Sequence, residues 1–210
     1  TLAVPALGHD VAEGDRAFVQ SVDGQALLPF AYLGAKHMVT GYDHVAFLLG
    51  VVFYLRRLRD VAVFVSLFTL GHSTTLLAGV LLGTSANPYL VDAVIGLSVI
   101  YKAVENLGGF DPLGWRPDPR LAVLGFGLVH GLGLATKVQD LSMSPEGLIA
   151  NLVAFNLGVE IGQVIVLTLV LLLLGAWRHS AGFKRWGMAA NIGLVAVGAG
   201  LTFHQLTGYL

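Results

Sequence analysis

The sequence predicts an all-α protein, a polytopic membrane helix bundle with about six transmembrane helices. Of its 210 residues, 55% are hydrophobic and only 12% are charged, whereas soluble domains carry about 25% charged residues. The mean hydropathy is +0.75. Apolar stretches of about 20 residues, the length that crosses a bilayer, recur between short loops. We therefore expect an extramembrane N-terminal segment at residues 1–26 and a transmembrane helical domain at residues 27–210.

The first half of the chain contains three apolar stretches with recognisable boundaries. Pro29 suits the first turn of a helix, and Gly41 permits a bend within the first stretch. Asn87 and Pro88 form a turn signal between the second and third stretches. We place spans 1, 2 and 3 at about residues 28–55, 60–82 and 89–107.

The second half follows a loop rich in Gly and Pro at residues 108–119. Span 4 contains several glycines around His130, and small residues let a neighbouring helix approach closely. We therefore expect His130 to face the bundle interior. The longest apolar run belongs to span 5. We place spans 4, 5 and 6 at about residues 121–137, 148–176 and 186–206.

Basic residues are concentrated in alternate loops. The loops after spans 2 and 4 contain none, apart from Lys137 at a helix end. Cytoplasmic loops of membrane proteins carry the excess of Lys and Arg. This pattern predicts an integral protein of a bacterial inner membrane with both termini in the periplasm. The loops after spans 1, 3 and 5 contain Arg56, Arg57 and Arg59, then Arg116 and Arg120, then Arg178, Lys184 and Arg185.

Composition also narrows the function. The net charge of -1 gives no reason to expect a nucleic-acid partner. The absence of Cys excludes disulfides and thiolate metal sites, so any metal must bind through nitrogen and oxygen. The chain starts at Thr1 without Met and without a charged-then-apolar leader, so we expect a processed or truncated N-terminus.

Two sequence stretches recur in the second half. Residues 41–44 (Gly-Tyr-Asp-His) resemble residues 127–130 (Gly-Leu-Val-His), and residues 68–72 resemble residues 155–160. Spans 1 and 4 are expected to cross the membrane in opposite directions. This is the pattern of an inverted repeat of three helices plus three, which is common in secondary transporters.

Span 1 carries two His and an Asp in an apolar helix. Ionisable groups at membrane depth are costly and mark a functional site by default. His37 and His44 share a helix face, but about 10 Å of rise separates them if the helix is straight. His37 is then an outer or relay ligand, unless Gly41 bends the helix. Asp43 either binds metal directly or orients an imidazole through its second nitrogen.

Spans 2, 4 and 5 carry further ionisable groups near their midpoints. Side chains on different helices can meet only at a common depth, and these groups share the depth of Asp43 and His44. Imidazole and carboxylate suit nickel, cobalt and zinc. We therefore predict a metal site built from His37, Asp43, His44, His72, His130 and Glu160.

Several polar residues are candidates for positioning or relay roles. Lys102 and Glu105 could form a structural ion pair at i, i+3, or act as a gate or proton relay on the inner side. Asn156 and Gln163 share one polar helix face with Glu160. The candidates are Ser73, Lys102, Glu105, Asn156 and Gln163.

Five motifs occur in order along spans 1 to 5. They are His37-x5-Asp43-His44, Phe68-Thr69-x-x-His72-Ser73-x-Thr75, Tyr101-x3-Glu105-Asn106, Phe126-Gly127-Leu128-Val129-His130-Gly131 and Asn156-x-Gly158-Val159-Glu160-x-Gly162-Gln163. In this order they resemble the HupE/UreJ family of nickel and cobalt permeases. The resemblance implies a polytopic permease in which the His and Asp residues of the first motif are needed for metal uptake. The fourth motif departs from the family's Phe-His-Gly form, because three residues separate Phe126 from His130.

These observations favour a permease that binds a divalent metal, nickel first and cobalt second, near the bilayer midplane. Glu160 or a His would take up protons as the metal leaves. One alternative is an intramembrane zinc hydrolase acting on a lipid or membrane peptide, with Glu160 as general base, although no His-Glu-x-x-His motif is present. Another is a structural subunit of a larger membrane complex. The expected partners are the metal ion, membrane lipid, and further copies or subunits.

Overall fold

The computed structural model of the protein describes residues 17–19, 21–114, 117–139 and 146–210. The predicted all-α class is confirmed, since these residues contain no strand. Most of the predicted N-terminal segment, and Arg116 of the second basic loop, lie outside the described residues. From residue 27 onwards the helices are α1 (Leu27–Thr40), α2 (Tyr42–Val52), α3 (Leu58–Leu82), α4 (Pro88–Asn106), α5 (Pro119–Gln139), α6 (Leu148–Arg178) and α7 (Ala181–Tyr209), with a 3-10 turn at Asp111–Leu113.

Four of these helices, α3, α5, α6 and α7, are long and apolar enough to cross a membrane. Together with the large apolar side chains exposed on their outer faces, they indicate an integral membrane protein. Helix α4 has 19 residues but carries Asp92, Lys102 and Glu105. Helices α1 and α2 have 14 and 11 residues, too few for a span each. The count of six spans therefore stays a prediction.

Span 1, predicted at about residues 28–55 with a bend permitted at Gly41, consists of two helices that are interrupted at Gly41 and end at Val52. Gly41 has an extended backbone, with φ -72° and ψ 92°. Its N–H donates to the His37 carbonyl and ends α1, while its own carbonyl accepts the first hydrogen bond of α2 from Val45. A Cβ at Gly41 would lie 3.0 Å from His44 Nδ1 and 3.3 Å from Asp43 Oδ1. Glycine therefore leaves room at the break for the two side chains that follow.

Helix α2 lies at the centre of the bundle. Eight of its 11 residues are buried, including Asp43 and His44. One turn after His44, the ring of Phe47 packs against Phe68 of α3 and Phe126 of α5. Its centroid lies 5.4 Å from that of Phe68 and 5.7 Å from that of Phe126. The most extensive helix pairings surround this short helix: α3 with α5, α1 with α6, and α4 with α7. The fold therefore places the polar start of α2 inside a ring of longer helices.

Candidate metal centre

His44 is the hub of a group of four histidines. Its side chain is completely buried, with 0% exposure. Its ring centroid lies 5.2 Å from that of His37, 5.8 Å from that of His72 and 4.8 Å from that of His130. Four helices, α1, α2, α3 and α5, thus each bring one imidazole to the same place. The common depth predicted this meeting for His44, His72 and His130, whereas His37 joins them across the bend at Gly41 that the sequence left open.

Three of the four can offer nitrogen atoms to one ion. One ring nitrogen each from His37, His44 and His72 lies within 4.8 Å of the other two. His44 and His72 are buried and His37 is half-buried. The break at Gly41 explains why His37 and His44 meet although seven residues separate them, since a straight helix would hold them about 10 Å apart along its axis. Three imidazoles leave one or more coordination positions open, as in sites that exchange ligands.

Asp43 holds His44 in place. Its Oδ1 accepts a hydrogen bond of 2.8 Å from the His44 backbone N–H and lies 3.1 Å from His44 Nδ1. A carboxylate that accepts from Nδ1–H fixes the tautomer and leaves Nε2 with a lone pair for a metal. Of the two roles predicted for Asp43, this geometry matches the orienting one. The carboxylate is also the nearest negative charge to the cluster, and at the first turn of α2 it suits the helix dipole.

His130 is positioned by its own helix. Its Nδ1 lies 2.8 Å from the carbonyl oxygen of Phe126, one turn earlier, which makes Nδ1 the donor and Nε2 the ligand nitrogen. Its ring packs against Phe47 and Phe68, with centroids 5.3 and 5.1 Å away. Among the described residues, His130 forms no triad of its own that could hold a metal. Of the three other histidine rings, that of His130 nevertheless lies closest to the ring of His44.

Glu160 does not point among the histidines. Its side chain is exposed on α6 and lines an open groove of about 410 Å³ between α3 and α6. Thr69 and Ser73 of α3 line the same groove, with Gln163 from α6. Thr69 Oγ1 donates to Gln163 Oε1 at 2.7 Å and bridges the two helices. The predicted depth of Glu160 therefore does not bring its carboxylate into the triad, and its role as a metal ligand stays a prediction.

The remaining predicted positioning residues have local partners. Lys102 Nζ forms an ion pair with Glu105, and the Lys102 side chain packs on Gly50 of α2. This contact matches the structural reading of the pair. Asn156 donates to the carbonyl of Leu152 within α6. None of these contacts reaches the four imidazoles.

One polar contact was missed by the sequence interpretation. Lys137 Nζ lies 2.8 Å from Asp92 Oδ2, which ties α5 to α4, and Asp92 is only 7% exposed. Asp92 could have been found from the sequence, because an acidic residue inside an apolar helix is costly unless it has a partner. The aromatic rings around the cluster, including Phe155 beside His37, were also missed, since aromatic residues in apolar helices carry no distinct signal.

One comparison with known proteins gives a match. The family model described as HupE / UreJ protein matches residues 13–209, nearly the whole chain. No curated protein and no solved structure matches the chain.

Proposed function

The chain belongs to the HupE/UreJ family, which implies a membrane protein of the metal-transporter type, and from this premise we propose a permease for a divalent transition metal. Nickel is the first candidate substrate and cobalt the second. The observation that carries the proposal is the group of His37, His44 and His72, whose ring nitrogens lie within 4.8 Å of one another inside an apolar bundle. Imidazole nitrogen suits nickel, cobalt and zinc far better than calcium or magnesium.

The number and kind of ligands in the site also suit transport. Conduction requires binding strong enough to admit an ion and weak enough to release it. Three neutral imidazoles, with Asp43 orienting one of them, provide such a set. A complete and rigid set of strong ligands would instead argue against release of the ion.

We assign Glu160 a proton-relay role beside this site. Its carboxylate faces the groove between α3 and α6, where the hydroxyls of Thr69 and Ser73 are neighbours. Ser73 directly follows the ligand candidate His72 in α3. A carboxylate in this position can exchange protons as imidazoles gain or lose the metal.

The proposed orientation places both termini in the periplasm of a bacterial inner membrane. It is supported by the basic residues after α2 and after α6. The chain has no Cys, so single cysteines can report the orientation. In intact cells, a membrane-impermeant thiol reagent should label Thr84→Cys and not Ser180→Cys. The reverse labelling would refute this orientation.

The proposal is tested by metal binding and transport of the purified protein. Wild-type protein should bind Ni²⁺ or Co²⁺ in equilibrium dialysis and carry it into proteoliposomes. His44→Ala should lose both activities, because His44 contacts every other imidazole of the cluster. His179→Ala is the matched control, since His179 is exposed after α6. Equal metal content in wild type and His44→Ala would refute the site.

A zinc hydrolase is the second candidate, and the lateral groove is the observation that favours it. A lipid or membrane peptide could reach Glu160 from the side through this opening. Zinc in the triad would activate a water. The position of Glu160 in the groove, outside the triad, counts against its predicted role as the general base. Release of a hydrolysis product by the Zn²⁺-loaded protein, without metal uptake into proteoliposomes, would favour the hydrolase over the permease.

A further inference from the structure

The contacts of the α1–α6 pair recur in the α3–α5 pair. A Cβ on Gly34 would overlap the carbonyl of Phe155, and a Cβ on Gly127 would overlap the carbonyl of Phe68. Each glycine therefore packs directly on the backbone of its partner helix. Phe68 and Phe155 begin the two matching stretches Phe-Thr-Leu-Gly and Phe-Asn-Leu-Gly. The same type of crossing thus occurs twice, and each crossing joins a helix from the first half of the chain to a helix from the second half.

A second contact follows in each pair, one helical turn away. A Cβ on Gly158 would overlap the carbonyl of Ala31, and a Cβ on Gly71 would lie 2.6 Å from the carbonyl oxygen of Leu124. Ala31 precedes Gly34 by three residues, and Leu124 precedes Gly127 by three. The two crossings therefore agree in register as well as in residue type.

The α4–α7 pair is symmetric about its own crossing. A Cβ on Gly96 would lie 2.8 Å from the backbone nitrogen of Thr202, and one on Gly198 would lie 3.0 Å from that of Ile100. Ile100 and Thr202 each follow their glycine by four residues. One two-fold operation that exchanges α1 with α5, α3 with α6, and α4 with α7 accounts for all three pairings.

The two halves run in opposite directions. Along α3 and α5, successive contacts advance together from Phe68 and Gly127 to Gly79 and Ala135, so these helices are parallel. Helix α2 is antiparallel to α3, because His44 contacts His72 whereas Phe47, one turn later, contacts Phe68. Helices α2 and α5 therefore point in opposite directions, which is the relation expected of an inverted repeat.

This register makes His37 and His130 equivalent residues. His37 follows Gly34 by three residues, and His130 follows Gly127 by three. Their ring contacts match too, because His37 packs on Phe155 and His130 packs on Phe68. The sequence comparison had instead matched residues 41–44 with residues 127–130. The packing instead matches His130 with His37, seven residues before His44 in span 1.

His37 and His130 both contact His44, from different helices. His37 precedes His44 across the break at Gly41, whereas His130 also contacts Phe47, one turn after His44. His37 belongs to the α1–α6 pair, and His130 belongs with His72 to the α3–α5 pair. The two equivalent imidazoles thus contact His44 from two different helix pairs, α1–α6 and α3–α5.

Resting on the proposed transport function, we propose that the chain has two overlapping metal positions that share His44. The outer position is formed by His37, His44 and His72, and the inner position by His44 and His130. Transfer of the ion breaks its bonds to the His37 and His72 nitrogens and forms one to His130 Nε2. Water takes the coordination position that this leaves open, so no charge changes. The basic residues after α2 place the His130 side nearer the cytoplasm. In inverted-repeat transporters, rocking of one half against the other alternates access in this way.

Co²⁺ is the probe for the test, because its visible absorption spectrum reports ligand number and type. His37→Ala should weaken Co²⁺ binding by at least about tenfold, the loss that even an outer-shell change causes, and should alter the spectrum. His130→Asn should leave affinity and spectrum at wild-type values, yet lower the maximal rate of uptake into proteoliposomes by about tenfold or more, with KM unchanged. The asparagine amide can still donate to the Phe126 carbonyl, so the hydrogen bond of His130 is retained.

Three outcomes have distinct meanings. If His130→Asn weakens binding as much as His37→Ala, all four histidines form one site and the inference is wrong. If His130→Asn transports at the wild-type rate, no inner position exists and the inference is also wrong. If wild-type protein binds no Co²⁺ or Ni²⁺, the proposed function itself fails. A melting temperature equal to that of wild type verifies that each variant is folded.

Discussion

At the scale of single residues, the Asp43 carboxylate beside Nδ1 of His44 favours the tautomer whose Nε2 can bind a metal. One oxygen of Asp43, Oδ1, makes two contacts with His44. It accepts a hydrogen bond from the His44 backbone N–H, and it lies 3.1 Å from Nδ1 of the His44 ring. Because His44 touches all three other histidines, fixing its ring fixes the centre of the cluster. Asp43 is thus a positioning residue for the proposed transport site.

Asp43→Asn should lower Co²⁺ affinity by about 10–100-fold while the absorption spectrum keeps the same ligand number. The amide oxygen can still accept from the backbone, but a neutral acceptor polarises the imidazole less than a carboxylate does. Asp118→Asn, in an exposed position before α5, is the control. A spectrum that lost one oxygen ligand would show that Asp43 binds the metal directly.

Glu160→Gln should leave equilibrium Co²⁺ binding unchanged, because its carboxylate lies in the α3–α6 groove. Uptake into proteoliposomes should become slower and insensitive to an imposed pH gradient, since Gln cannot carry a proton. Glu146→Gln, on the exposed turn before α6, is the matched control. Loss of bound Co²⁺ in Glu160→Gln would instead support the original prediction of a sixth ligand.

At the scale of elements, close helix crossings hold the imidazoles at a common level. Gly131 directly follows His130 in α5 and packs on the backbone carbonyl of His72 in α3. Without hydrophobic attraction between helices in lipid, such backbone contact is a main source of packing energy. The crossing of α3 and α5 therefore sets the distance between His72 and His130.

Gly127→Ala should destabilise the protein by about 1–3 kcal/mol, because its Cβ would press on the carbonyl of Phe68. Gly125→Ala is a stringent control on the same helix. No heavy atom outside its own helix lies within 4 Å of that Cβ among the described residues, and Ala favours the helix. Thermal unfolding in detergent measures both. Equal melting temperatures would contradict the close crossing.

At the scale of the whole molecule, the α1–α6 and α3–α5 pairs behave as two units with α2 between them. Contacts within each pair are extensive, whereas α3 and α6 touch only slightly across the groove. The hydrogen bond from Thr69 to Gln163 is one of the few links between the units. If the two units rock against each other during the proposed transport, the contact between α3 and α6 must open and close.

A bridge across the boundary should therefore stop transport. In the cysteine-free chain, a short bis-methanethiosulfonate reagent should join Thr69→Cys to Gln163→Cys through a disulfide at each end, with loss of two methanesulfinates, and abolish uptake into proteoliposomes. Reduction of the two disulfides should restore uptake. The same reagent across Thr84→Cys and Gln139→Cys, which lie within the α3–α5 unit, should leave uptake intact. Uptake that persisted with the first bridge would exclude rocking of these units.

The sequence by itself determined the helical class, the presence of membrane-spanning apolar helices and the residues that share a depth. Hydropathy and position along a span are properties of one helix, so His44, His72 and His130 could be assigned to one level before any packing was known. The resemblance to the HupE/UreJ family also followed from ordered motifs, and the family is confirmed over residues 13–209.

Only the tertiary structure decided which way those residues face. The helix break at Gly41 brings His37 to His44, and the packing of α6 leaves Glu160 in a groove against α3. The physical reason is that sequence spacing gives the height of a side chain along a helix. Its direction around the helix axis depends on which neighbours pack there, and that is a property of the assembled bundle.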